Sequence, residues 1–154
     1  MNKGAIISPC GKYRYQLWRI WNDDKPLVMF VCLNPSTADA NQDDPTLRRL
    51  IRFAYDLRYG GLYLGNLFAY RSKYPSDLRY RPYSVGPEND QHLMIMADIC
   101  SQVVFAWGND GALRDRYKEV VPMLPNALCF GKTAAGHPKH PLYIAKNTEL
   151  IPFT

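Results

Sequence analysis

Four polar segments each follow an apolar run, and each carries side chains that could do chemistry. Asn34-Pro35-Ser36-Thr37-Ala38-Asp39 follows the run 27–33, and Gly65-Asn66-Leu67-Phe68-Ala69-Tyr70-Arg71 follows 62–64. Gly108-Asn109-Asp110-Gly111 follows 103–107, and Gly131-Lys132-Thr133 follows 127–130 before running on to His137-Pro138-Lys139-His140-Pro141-Leu142-Tyr143. Amides that donate and accept, a histidine that titrates near neutral pH and nearby carboxylates suit polar recognition and proton transfer. Each piece alone also has an ordinary reading. Asn34-Pro35 makes a turn, Asn66 ties down a loop, Gly108 permits a tight bend, and Asp43-Asp44 caps a helix. His137 and His140 are three apart, with Pro138 between them and Pro141 after, which argues against a helical metal pair. Ser36-Thr37 lacks the Gly-x-Ser-x-Gly elbow of an acyl-transfer nucleophile. Convergence of four loops on one edge of a sheet is what favours a functional site.

Charge adds a second signal. Residues 46–81 carry eight basic side chains (Arg48, Arg49, Arg52, Arg58, Arg71, Lys73, Arg79, Arg81) against Asp56 and Asp77. That window is net +6 within a chain of +5, so the remainder sums to −1. It also holds six of the eleven tyrosines: Tyr55, Tyr59, Tyr63, Tyr70, Tyr74 and Tyr80. Arginines interleaved with aromatics suit a polyanion whose bases stack, with Arg48, Arg49 and Arg52 on the backbone. A solvated basic face over half-packed tyrosines reads the same way. The expected partner is a nucleic acid or a nucleotide.

The elements that must position these loops follow from periodicity. Ala5-Ile6-Ile7, a turn at Ser8-Pro9-Cys10-Gly11, and an alternating stretch from Tyr13 to Trp21 predict a β-hairpin. In that stretch Tyr13, Tyr15 and Leu17 fall on one face and Arg14, Gln16 and Trp18 on the other. The uninterrupted apolar run from Leu27 to Leu33 predicts a strand buried on both faces. Asp44-Pro45 predicts the start of a helix reaching about Leu57, ended by Gly60-Gly61. A strand at 62–64, a long Pro-rich loop at 68–87, and helices over 88–101 and 112–124 follow, with strands at 103–107 and 127–130 between and after them. Strands alternating with helices predict a three-layer α/β fold, with a mostly parallel four-stranded sheet flanked by helices and the N-terminal hairpin at one edge. Ligands in such sheets bind beyond the carboxyl ends of the strands.

At 154 residues, 47% hydrophobic and 21% charged, the chain is expected to be a single α/β domain over 1–154 rather than a disordered one. No apolar run approaches the roughly 20 residues of a membrane helix, and Ala5-Ile6-Ile7 is too short for a signal-peptide core. Cys10, Cys32, Cys100 and Cys129 form no C-x-x-C pair, which favours free thiols in a reducing compartment. The expectation is a cytoplasmic protein with no membrane partner, no metal site and no cofactor.

Leu33-Asn34-Pro35-Ser36-Thr37-Ala38-Asp39, Asp44-Pro45-Thr46, Asn66 to Arg71, Trp107-Gly108 and His140-Pro141-Leu142-Tyr143 resemble the signature of the domain of unknown function 1643 family, uncharacterised proteins of bacteria and phages. The same order is distantly similar to the uracil-DNA glycosylase superfamily, in which an apolar strand ends in an Asn-Pro or Asp-Pro loop. A strand-end Asn, a Trp-Gly strand and a His-Pro loop then follow. That resemblance implies a uracil-DNA glycosylase-like fold. It implies that Asn34 positions or activates water, Asn66 reads a base edge, His140 stabilises charge on a departing base, and Leu142 lies near a DNA-wedging position. Cys32, Leu33 and Ser36 depart from the superfamily's loop, and no Ser-Pro-Leu-Ser continuation follows His140.

Under that resemblance the chemistry is N-glycosidic cleavage, with polar groups at the sugar and a donor at the base. Asp39 or Asp44 could act as general base, and Phe68 or Tyr70 could stack on a flipped base. Pro35, Ser36, Thr37, Arg71 and Gly108 complete the candidate substrate-binding set. Two other readings stay open. One is a non-catalytic module that binds a nucleotide or single-stranded nucleic acid. The other is a hydrolase or transferase acting on free nucleosides or nucleotides.

Overall fold

The computed structural model describes residues 1–79 and 81–154; Tyr80 and the side chain of Arg81, both in the basic window, and the side chain of Pro82 lie outside the described residues. The Leu27–Cys32 run forms β3 at the centre of the sheet, apolar throughout because both its faces are covered. Val28, Phe30 and Cys32 point to one face, where they meet Leu47, Leu50, Phe53 and Ala54 of helix α1 (Pro45–Asp56). Met29 and Val31 point to the other, against Leu93 and Met96 of α3 (Asn89–Ile99) and Val120 of α4 (Tyr117–Met123). The three layers expected from the alternating pattern are therefore present.

The sheet itself is larger and more mixed than expected. It has seven strands: β1 (Asn2–Ile7), β2 (Arg14–Ile20), β3, β4 (Gly61–Asn66), β5 (Gln102–Phe105), β6 (Leu128–Cys129) and β7 (Ile151–Pro152), in the order β1-β2-β4-β3-β5-β6-β7. Only the central four, β4-β3-β5-β6, run parallel. The expected mostly parallel four-stranded sheet is corrected by the ends: β2 pairs antiparallel with β4 and β7 antiparallel with β6. The physical reason is the edges, since the outer parallel strands would otherwise present unpaired backbone groups. The predicted hairpin (β1 and β2) thus becomes part of the sheet.

Two helical segments also differ. The stretch expected to be one helix over 112–124 is a 3-10 turn, Asn109–Asp115, followed by α4; Arg114 and Asp115 adopt positive φ between them. The Pro-rich loop contains a 3-10 turn, Pro75–Leu78, and a short helix α2 (Arg81–Val85). Among the described residues no helix is long and apolar enough to cross a membrane.

The hairpin carries a register shift that re-aims one arginine. Ala5 pairs with Leu17 and Ile6 with Gln16, but Ile7 pairs with Arg14, so Tyr15 is an extra residue on β2. Because side chains alternate faces with period two, this bulge turns Arg14 onto the Leu17 face, opposite to Gln16. Tyr15 and Gln16 both face α3, where Tyr15 stacks on His92 and the Gln16 amide contacts its ring nitrogen at 2.8 Å.

Candidate functional site

From β3 the chain crosses to β4 on one side and later returns to β5 on the other, so the sheet's direction of growth reverses beside β3. A crevice beyond the carboxyl ends of the strands is expected there. A cavity of about 690 Å³ occupies that place, lined from all four parallel strands and their loops. Cys32, Leu33, Asn34 and Ser36 come from the end of β3, Leu64 and Asn66 from β4, Trp107 to Asp110 from the end of β5, and Thr133, Lys139, His140, Leu142 and Tyr143 from the segment after β6. Arg14, Asp44, Thr46, Ser72, Lys73 and Pro75 complete the lining.

The helix start supplies Asp44. Its Oδ1 accepts the N–H of Leu47 at 2.8 Å and caps α1, while Pro45 takes the first helical position. Its Oδ2 accepts no hydrogen bond among the described residues, so capping and a second role on one carboxylate coexist. Asp39, the other expected base, is absent from the cavity. It accepts the N–H groups of Asn41 (2.9 Å) and Gln42 (2.8 Å), which hold its carboxyl below the usual range.

His140 is placed by three contacts. Gly108, at φ 72° and ψ −172°, sits where only glycine is comfortable, and a Cβ there would lie 3.2 Å from His140 Cβ. The Gly108 N–H donates to Pro138 O at 2.9 Å, tying the end of β5 to the histidine loop. The backbone N–H of Leu142 donates to His140 Nδ1 at 3.2 Å, so the neutral ring carries its proton on Nε2 and can donate it. Burial pushes the His140 pKa down, against a smaller upward pull from Asp110. Arg49 clamps the same loop to α1 through the carbonyls of Pro141 (3.3 Å) and Ile144. It therefore fixes His140 relative to Asp44 instead of standing free. Arg48 and Arg52 are exposed, and Arg52 pairs with Asp56 at 3.2 Å.

The two asparagines do different work. The Asn34 amide donates to the carbonyls of Pro35 (3.0 Å) and Ser72 (2.8 Å), stitching the β3 loop to the β4 loop. Asn66, 2% exposed, accepts from Arg14 Nη2 through Oδ1 at 3.3 Å, and its own carbonyl accepts from Asn89 at 3.0 Å. A guanidinium has no acceptor to offer, so this contact fixes the amide with Nδ2 turned away from Arg14. Cys32 also lines the cavity, but burial pushes its thiol up to about 12 and keeps it neutral.

Of the sequence-predicted residues, Asn34, Ser36, Asp44, Asn66, Gly108, His140 and Leu142 meet in the cavity. Thr37, Tyr70 and Arg71 line a shallower depression beside it, joined through Ser36, Ser72 and Lys73. Phe68 is fully buried in the core and Pro35 is buried beneath the loop. Sequence reasoning missed Arg14, Lys73, Trp107 and Lys139 as lining residues. Arg14 had no signal to find it by, because the bulge that aims it is unmarked by glycine or proline.

The family described as Protein of unknown function (DUF1643) matches residues 14–142. The chain belongs to this family. The matched span starts at Arg14 and contains every cavity-lining residue except Tyr143. No curated protein and no solved structure matches the chain.

Proposed function

We propose that this member of the family is directed at nucleotides or nucleic acid, and that its cavity hydrolyses an N-glycosidic bond and releases the base. The observation that carries this reading is the pairing of a carboxylate with an uncommitted oxygen, Asp44, and a neutral His140 with its proton on Nε2, on one cavity. The distant motif likeness to the uracil-DNA glycosylase superfamily supports the same chemistry, although Asp44 takes the place that likeness would give to Asn34. The Asn34 amide nitrogen is held by backbone carbonyls and serves the loop.

In the proposed step a water oxygen bonds to the anomeric carbon as the carbon–nitrogen bond breaks. The bonding pair leaves with the base as an anion, and Asp44 takes a proton from the water. His140 donates an Nε2–H hydrogen bond that stabilises the departing anion, and the base takes its proton from solvent once released. Negative charge on the departing base is greatest as that bond breaks, where a fixed donor in a closed site is most effective. A carboxylate that removes the water proton contributes by general base catalysis.

The test is base release from mononucleotides and from single- and double-stranded DNA and RNA carrying normal, uracil and modified bases. Asp44→Asn is expected to lower release by about 10²–10⁴-fold, and His140→Ala by about 10²-fold. Release that survives both substitutions sinks the assignment. Ligand binding without release from any substrate would make the protein a recognition module.

A further inference from the structure

Among the described residues three arginines are almost completely buried: Arg14, Arg19 and Arg116. Arg19 pairs with Asp43 at 3.0 Å, and Arg116 pairs with Asp90 and with Glu119. Arg14, 2% exposed, lies beyond ion-pair distance of every carboxylate among the described residues, and it is the one of the three that lines the cavity. The chain gives it two acceptors, Ala38 O at 2.9 Å and Asn66 Oδ1 at 3.3 Å, and leaves its Nε buried without a partner.

A desolvated cation without a counterion costs several kcal/mol after relaxation. Burial lowers its pKa to about 10, with Asp44 opposing, so it stays charged at neutral pH. Cys32, the thiol beside it, stays neutral and does not compensate. The β-bulge at Tyr15 takes Arg14 off the Gln16 face and onto the side of Asn66, which is how bulges re-aim side chains near sites.

We infer that Arg14 and Asn66 form an oxyanion subsite at the floor of the cavity, and that the ligand's phosphate enters the cavity to lie there. This rests on the proposed nucleotide reading and narrows it. The guanidinium supplies charge, the outward Nδ2 edge of Asn66 supplies a donor, and Lys73 and Lys139 on the walls add positive charge against Asp44 and Asp110. Charge-assisted bonds from a planar guanidinium suit phosphate oxygens. Arg14 and Asn66 are each 98% covered, so a phosphodiester continuing in both directions does not reach them. The ligand class is accordingly a mononucleotide or a phosphorylated strand end.

The experiment titrates the full chain with inorganic phosphate, with uridine and with uridine 5′-monophosphate. It follows the melting temperature and the tryptophan emission, since Trp107 lines the cavity. Phosphate is expected to raise the melting temperature where chloride at equal ionic strength does not. The monophosphate is expected to bind at least about tenfold more tightly than uridine, a difference of about 1.4 kcal/mol. Arg14→Met brings that ratio close to one, and Arg14→Lys keeps part of it because the charge remains without the fork. Equal binding of uridine and its monophosphate, with phosphate inert, overturns the subsite while leaving a nucleoside site in place. Failure of all three ligands to bind overturns the subsite and the nucleotide reading together. If Arg14→Met does not fold, the wild-type ratio and competition by phosphate still decide.

Discussion

Arg116 stands at the start of α4 and reaches the Asp90 carboxylate on α3, the Glu119 carboxylate one turn along its own helix, and the Leu67 carbonyl beyond β4. Arg14 is as deeply buried, yet among the described residues its guanidinium meets an amide oxygen and a backbone carbonyl and no carboxylate, at the floor of an open cavity. One cation is neutralised by the fold and fastens three elements together. The other is held in place by the fold and left positive. Burial alone therefore does not tell a scaffold arginine from a ligand-binding one; the missing carboxylate does.

The comparison is broken most directly by removing charge from each side. Asp90→Asn combined with Glu119→Gln leaves Arg116 as a buried cation without a counterion. Breaking a fully buried pair costs about 3–5 kcal/mol, but both carboxylates are half exposed and water screens them, so about 2 kcal/mol is expected. For a domain of this size that is a fall of about 4–8 °C in melting temperature. Arg14→Met loses two hydrogen bonds but also removes a desolvated charge, and the two offset to within about 1 kcal/mol. A larger loss from Arg14→Met than from the double variant would make Arg14 a scaffold residue and end the contrast.

A second effect sharpens the ligand side. Gly108→Ala forces a side chain into a backbone region that belongs to glycine and sets its Cβ against His140. The expected cost is about 1–3 kcal/mol. Base release is expected to fall more than stability alone explains, because the displaced group is the donor. Intact release in a folded Gly108→Ala protein would show that the histidine's position is not critical.

Much of this arrangement was legible in the sequence, and the limits have physical causes. The β3 run, the Asp44-Pro45 helix start and the four strand-end loops were all readable, because burial on both faces, helix capping and strand–helix alternation leave local marks. Asn34, Asn66, Gly108 and His140 could be placed at one edge on that basis. The antiparallel additions at both edges were not readable, since β7 is two residues long and pairing partners lie far apart in the chain. Arg14 was misplaced for a sharper reason. Strict alternation from Tyr13 to Trp21 puts it with Gln16, and a single extra residue, Tyr15, reverses its face. Arg49 illustrates the converse: counted with the basic window, it binds two backbone carbonyls inside the fold.

The smallest expected effect concerns pH. Burial lowers the pKa of His140 and, near the Tyr15 stack, of His92, below the value of about 6.5 they take in an unfolded chain. Between the folded and unfolded values the unfolded chain binds more protons, so stability rises with pH through that window. It is fully present above about 6.5 and is lost as the pH falls toward the folded values. Protonating His140 also places a proton on Nδ1, where the Leu142 N–H now donates, so the loop contact is lost with the charge change. Melting temperature measured across the window is expected to show this positive slope, with His140→Gln and His92→Gln each removing part of it. Base release is expected to decline over the same interval, since the neutral, Nε2-protonated ring is the form held in place. A slope unchanged by His140→Gln would mean that the histidine is not desolvated in the folded protein, and the contrast between a neutral donor and a charged floor would lose one of its two members.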